Sequence, residues 1–200
     1  PRLGEKLNET YPNVKVLCTE TIGKYHPFVK KLINDIYFTI INNLPNLWEF
    51  MHQNKKSTGG NKFFINFFIN LVKKDFLKII DEFKPDVIIS TYAFNAGVIS
   101  KIKEEGYKMP LIGVATDFYL HNYWIYDNIN IYCVPTNKAK KDFSKKGVNK
   151  KKIIVTGIPV RNNFLIKLNK TDFKKKFRFK EKVPLITVIG GGMGVGNIEN

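Results

Sequence analysis

Arginine is nearly missing from this chain. Of 33 basic residues only Arg2, Arg161 and Arg178 are arginine, which leaves thirty lysines against 17 acidic side chains. Base-edge readout and bidentate gripping of phosphate favour the planar guanidinium, whereas lysine acts as a solvated point charge. No motif interleaves basic and aromatic residues in the manner of a nucleic-acid module. The net charge of +16 therefore points away from nucleic acid and towards an extended anionic surface such as a membrane. There each lysine near the lipid is worth about 1 kcal/mol. Part of the lysine is simply the solvated face of a Lys-, Asn- and Ile-rich chain.

Cysteine is scarce as well. Cys18 and Cys133 fall in separate expected strands far apart in sequence, which predicts two reduced, buried thiols and suits the cytosol. No apolar run approaches the roughly 18 residues of a spanning helix, and no signal peptide is visible. The chain opens at Pro1 without methionine and stops at Asn200 in an expected helix start, so it reads as a fragment. With 44% hydrophobic and 14% aromatic residues it has the material for a core and is not disordered.

What is present is an alternation. Residues 1–10 read as the tail of a helix, and Val14–Glu20 alternates as a strand. A helical period runs from Tyr25 to Phe50, broken at Pro45, with Phe28, Leu32, Ile36 and Ile40 on one stripe. Lys55–Lys62 has loop composition, and Phe63–Phe83 reads as a helix crowded with aromatics in its first half. Pro85–Ser90 is a short buried strand, and the helix Ala93–Glu105 ends at Gly106. Strands follow at Leu111–Ala115, Ile131–Thr136 and Lys152–Gly157, with a lysine-rich helix before Gly147. Strand and helix recurring about every twenty residues is the pattern of βαβ units and a parallel sheet. A doubly wound fold needs one more strand and its loop ahead of the first helix. A domain junction is expected at Gly157–Lys170, before a new strand at Val183–Gly190.

The central feature is the end of the Leu111–Ala115 run, where an apolar stretch stops at Thr116 and Asp117 and is followed by His121 and Trp124. Ligands of open α/β sheets collect beyond the carboxyl ends of the strands. A helical turn there puts Asp117, His121 and Trp124 on one face. The plain alternative is that Asp117 caps the turn, His121 bonds a carbonyl and Trp124 is core. Farther on, Gly190, Gly191, Gly192, Gly194 and Gly196 form a glycine loop between a strand and an expected helix at Asn197, a place for an anion such as a diphosphate. No register gives GxGxxG and no GK[ST] follows, so neither a nicotinamide dinucleotide nor ATP is supported.

Three stretches in this order, TDFYLHNYW at 116–124, GIPVRNNF at 157–164 and GGGMGVG at 190–196, resemble the monogalactosyldiacylglycerol synthases and bacterial processive diacylglycerol glucosyltransferases of glycosyltransferase family 28. PDVIIS at 85–90 and Val134–Thr136 fit the same template. The resemblance implies a GT-B architecture: residues 1–160 as a Rossmann-like acceptor and membrane-binding domain lacking its first strand and loop, and 161–200 as linker and start of a nucleotide-sugar domain. It implies hexosyl transfer from UDP-glucose or UDP-galactose to diacylglycerol, with no metal or other cofactor, by a peripheral protein at the cytoplasmic face of the cell membrane. Asp117 and His121 would then be catalytic, Thr116 and Trp124 would meet the acceptor, and Arg161 and the five loop glycines would hold the donor. A related transferase acting on a peptidoglycan precursor is the runner-up; the TDFYLHNYW stretch favours diacylglycerol. Two departures bear on this: the loop that in this family supplies the general base and the distal acidic motif that grips the donor sugar are outside these residues, so the fragment is expected to be inactive. Met193 also stands where some relatives have an acid.

Overall fold

The computed structural model describes residues 2–20, scattered positions between 24 and 43, and residues 59–118, 122–167, 169–180 and 183–188. They fall into two compact units, Pro1–Pro159 and Val160–Asn200.

The first unit is built on four parallel strands, β1 (Ile88–Ser90), β2 (Leu111–Val114), β3 (Ile131–Val134) and β4 (Ile153–Val155), side by side in sequence order. Short β-branched runs make them, and their direction requires a crossover between each pair. The register sets Ser90 beside Gly113 and Val114 beside Cys133, so the carboxyl ends of β1, β2 and β3 form one edge. Among the helices are α1 (Arg2–Thr10), α2 (Gly59–Phe83), α3 (Ala93–Glu104) and α4 (Asn137–Lys145).

The core lies between the sheet and α2, α3 and α4. Val72 and Phe76 of α2, and Val98, Ile99 and Ile102 of α3, join Leu111 and Val134 in one buried cluster, and Tyr132 meets Phe143 of α4 edge-on at 5.0 Å between ring centroids. In α4 the buried residues are Ala139 and Phe143, one turn apart, which leaves its lysines to solvent. Thr136 caps it by accepting from the Ala139 N–H at 3.1 Å. Gly106 and Gly147 follow the ends of α3 and α4 with φ of 107° and 94°, a conformation glycine adopts at no steric cost.

Several expectations are corrected. Val14–Glu20 carries no regular secondary structure and joins no ladder, because a strand is defined by its partner and none lies alongside among the described residues. Cys18, on that open segment, is exposed rather than buried; Cys133 is half-buried, and both are free thiols. Helix α2 starts at Gly59, ahead of the expected Phe63, so part of the anticipated Lys55–Lys62 loop is helical, the tertiary contacts of a long helix outweighing the roughly 1 kcal/mol that each glycine costs. Of its aromatics Phe68 is half-buried, and the side chains of Phe63, Phe64 and Phe67 lie outside the described residues. In the Tyr25–Phe50 stretch the described positions from 27 to 43 are helical, yet Phe28 and Leu32 face outward instead of into the core.

The second unit holds a 3-10 turn, Asn162–Phe164, and α5 (Lys170–Lys176). That helix went unrecognised in the lysine-rich TDFKKKFRFKEK run, though Asn169 caps it by accepting from the Thr171 N–H at 2.9 Å and Asp172 sits in its first turn. Residues 183–188 form no strand, and no described residue pairs with them in a ladder.

Candidate functional site

Strand β2 ends in a fixed backbone and then opens to solvent. The Ala115 N–H donates to the Cys133 carbonyl at 2.9 Å and Ala115 is fully buried, while Thr116, Asp117 and Phe118 are exposed. Asp117 makes no hydrogen bond or ion pair with another described residue, so its carboxylate stands available at the edge where ligands of such sheets bind. His121 lies outside the described residues.

The far half of the β2–β3 connection is anchored. Asn122–Trp124 forms a 3-10 turn against α3, and Trp124 is 2% exposed within the core. This corrects the expectation that Trp124 lines the acceptor side with Asp117: its indole is consumed by packing, so the two do not share an open face. Tyr132 accepts from the Tyr126 N–H at 3.1 Å and donates its hydroxyl to the Tyr126 carbonyl at 3.0 Å. Burial pushes both phenols up to about 12, so they remain neutral hydrogen-bonding groups in the physiological range. The Tyr126 ring lies so close over Gly97 of α3 that a side-chain carbon there would meet it at 2.5 Å; only glycine admits this contact.

Return to β3 is fixed by polar pins. Asn130 Oδ1 accepts from the Leu111 N–H at 2.9 Å and from Lys103 Nζ at 2.7 Å, and Lys152 Nζ donates to the Ile129 carbonyl at 3.1 Å. Burial lowers the Lys103 pKa, with a further push from the like charge of Lys152. The Cys133 thiol is raised by burial, which makes it a poor thiolate nucleophile. The loop thus has a rigid root and an exposed polar start, an arrangement that can hold a carboxylate and a hydroxyl at fixed positions over the sheet edge.

The neighbouring edge adds a residue that sequence reasoning missed. Tyr92 follows β1, is exposed, and has its carbonyl held by the Ser90 hydroxyl at 2.9 Å. Given the β1–β2 register it stands beside the end of β2. An aromatic immediately after a buried strand was the available signal.

In the second unit Arg161 is exposed and precedes the Asn162–Phe164 turn, its carbonyl accepting from the Phe164 N–H at 3.0 Å. Gly190, Gly191, Gly192, Gly194 and Gly196 lie outside the described residues. Among the described residues no three His, Cys, Asp or Glu side chains gather as a metal site, and no helix is long and apolar enough to cross a membrane.

Comparison with known proteins places this arrangement. Residues 3–160 match the family model of monogalactosyldiacylglycerol (MGDG) synthase. A processive diacylglycerol beta-glucosyltransferase of Bacillus cytotoxicus is 26% identical over 186 residues, which is 92% of this chain and 47% of the relative. Proteins of the same name from Bacillus cereus strain G9842 and Bacillus thuringiensis strain Al Hakam are each 26% identical, over 92% and 90% of the chain. The chain spans about half the length of these relatives. Since the family match runs from α1 through the sheet edge that bears Thr116 and Asp117 to the end of the first unit, the chain belongs to the MGDG synthase family.

Proposed function

We propose that the full polypeptide transfers a hexosyl group from a UDP-sugar to diacylglycerol at the cytoplasmic face of the cell membrane, as a peripheral enzyme of glycolipid synthesis that needs no metal. The observation that carries this reading is the family match over residues 3–160, supported by relatives named for glucosyl transfer to diacylglycerol. Transfer to a hydroxyl requires a base for its proton and donors for the departing diphosphate. Asp117, with His121, is assigned to the proton or to the group that removes it, and Thr116 to the acceptor. Arg161 and the amides of Gly190, Gly191, Gly192, Gly194 and Gly196 are assigned to the UDP diphosphate.

Membrane contact has its own support. Phe28 is 76% exposed, and with exposed Lys31 and Leu32 it occupies i, i+3 and i+4 positions of a helical segment, apolar and basic groups side by side. Tyr25 at its start is tied to α2: its hydroxyl donates to Glu82 at 2.7 Å, and Lys78 Nζ lies 4.1 Å from the ring centroid. Such a surface suits an anionic bilayer, where lysine attraction and buried apolar side chains act together.

The experiment is transfer by the full polypeptide to diacylglycerol in anionic vesicles, with UDP-glucose and UDP-galactose offered separately in the presence of EDTA. Product from one or both is expected, with vesicle binding falling as salt screens the lysines. No glycolipid from either donor would overturn the assignment, and binding indifferent to salt and anionic lipid would remove the membrane charge from it. For the donor side, Arg161→Ala is expected to weaken donor use by about 1.5–3 kcal/mol, the worth of a charge-assisted hydrogen bond. Unchanged donor kinetics would return Arg161 to a purely structural place before its turn.

A further inference from the structure

Helix α3 begins at a residue that cannot cap it. The position ahead of its first turn is Tyr92, extended at φ −134° and ψ 127°, and its side chain bonds none of the helix N–H groups. Serine, threonine, asparagine or aspartate there stabilises a helix, and an aromatic does not. The backbone is nevertheless fixed: the Tyr92 carbonyl accepts from the Ser90 hydroxyl at 2.9 Å and from the Ala96 N–H at 3.1 Å. A fixed backbone thus carries a ring that the fold leaves 57% exposed. Functional sites are where such a conflict between local preference and the residue present is expected.

The surroundings say which ligand. The β1–β2 register, with Ser90 beside Gly113, brings the residues after β1 to the edge where β2 gives way to Thr116 and Asp117. Phe118, 74% exposed, comes directly after that polar pair. The edge therefore offers a hydroxyl and a carboxylate together with exposed aromatic rings from the neighbouring strand end and from the next position in the chain. A carboxylate repels a diphosphate, so the charge disfavours the donor's phosphates here. An apolar molecule with one free hydroxyl fits: the hydroxyl goes to the polar pair, and the apolar body lies against a ring whose polar tip stays in water.

We infer that Tyr92 is an acceptor-binding residue: its ring takes the glyceride end of the lipid, the ester-bearing carbons next to the free hydroxyl, and so sets that hydroxyl at Thr116 and Asp117. This rests on the proposed transfer to diacylglycerol and names a residue that selects the acceptor for it. Tyrosine at the cap is then a compromise between helix and ligand. Serine in its place favours α3 and loses the lipid contact.

The full polypeptide tests this by two readouts, calorimetric binding of dihexanoylglycerol, which needs no sugar transfer, and hexosyl transfer itself. Tyr92→Ser is expected to bind this short-chain diacylglycerol about tenfold more weakly and to raise the diacylglycerol KM by a similar factor, with kcat and the donor KM within about twofold of wild type. It should unfold no earlier than wild type, since serine caps the helix. Tyr92→Phe, which keeps the ring, should return binding and KM to within about threefold of wild type. Binding and KM unchanged in Tyr92→Ser would overturn the inference and leave the transfer reading intact. Binding weakened in Tyr92→Ser while the wild type makes no glycolipid would do the reverse. No binding of dihexanoylglycerol by the wild type, a raised donor KM in place of the acceptor KM, or earlier unfolding in step with the lost binding would each remove Tyr92 from the lipid.

Discussion

Asp117→Asn in the full polypeptide is expected to lower hexosyl transfer by about 100-fold or more while leaving thermal unfolding where it was. The two halves of this expectation come from one observation. Asp117 is exposed at the carboxyl end of β2 and makes no hydrogen bond or ion pair with another described residue, so the fold gains little from its charge. A surface substitution of that kind moves stability by no more than about 0.5 kcal/mol. What the carboxylate can do is act on something that arrives at the edge, by orienting an acceptor hydroxyl or the group that deprotonates it. If it does so together with His121, then His121→Ala should cost about as much, and the double variant little more than either. Transfer near wild type in both single variants would sink the assignment. Unfolding lowered in parallel with transfer would make Asp117 a cap and nothing else.

How far the sequence could be read depended on whether local pattern or a partner decides the structure. The strands at 88–90, 111–114, 131–134 and 153–155 were legible because short β-branched runs bounded by turn residues carry their own signal, and the spacing between them implied parallel crossovers. Gly106 and Gly147 marked helix ends because their positive φ is a local requirement. Val14–Glu20 alternates as a strand should, but a ladder needs a neighbour, and pattern alone does not say whether one is present. Helix α5 lies in a charged run without an apolar period, and its one local signal is the cap at Asn169.

The site divided along the same line. Thr116 and Asp117 stand exposed just past β2, as the stop of an apolar run at polar residues implied. Trp124 was drawn to the same face by helical spacing, yet 122–124 is a 3-10 turn whose geometry sends the indole inward. Tyr92 was passed over because no spacing rule links it to Asp117; only the register of β1 on β2 does.

Trp124 decides how that edge is built, and its substitutions should separate packing from contact. With 2% of its surface exposed, the indole sits in the core beside α3, and Trp124→Ala is expected to cost about 3–5 kcal/mol in lost burial and residual cavity. For a chain of this size that corresponds to a fall in Tm of about 6–20 °C. Native domains hold only about 5–15 kcal/mol in reserve, so transfer by this variant would fall through unfolding alone. Trp124→Phe is the discriminating change. It keeps an aromatic ring in the same space, and its smaller volume should cost less than the alanine variant. Because the loop start is held independently, through the Ala115 N–H on the Cys133 carbonyl, Thr116 and Asp117 should keep their places. Transfer by Trp124→Phe should therefore stay within about threefold of wild type at temperatures below its transition, a loss of under 1 kcal/mol. A variant that unfolds normally yet raises the KM for diacylglycerol tenfold or more would show the indole leaving the core to meet the lipid, and the assignment of Trp124 to the acceptor would be restored.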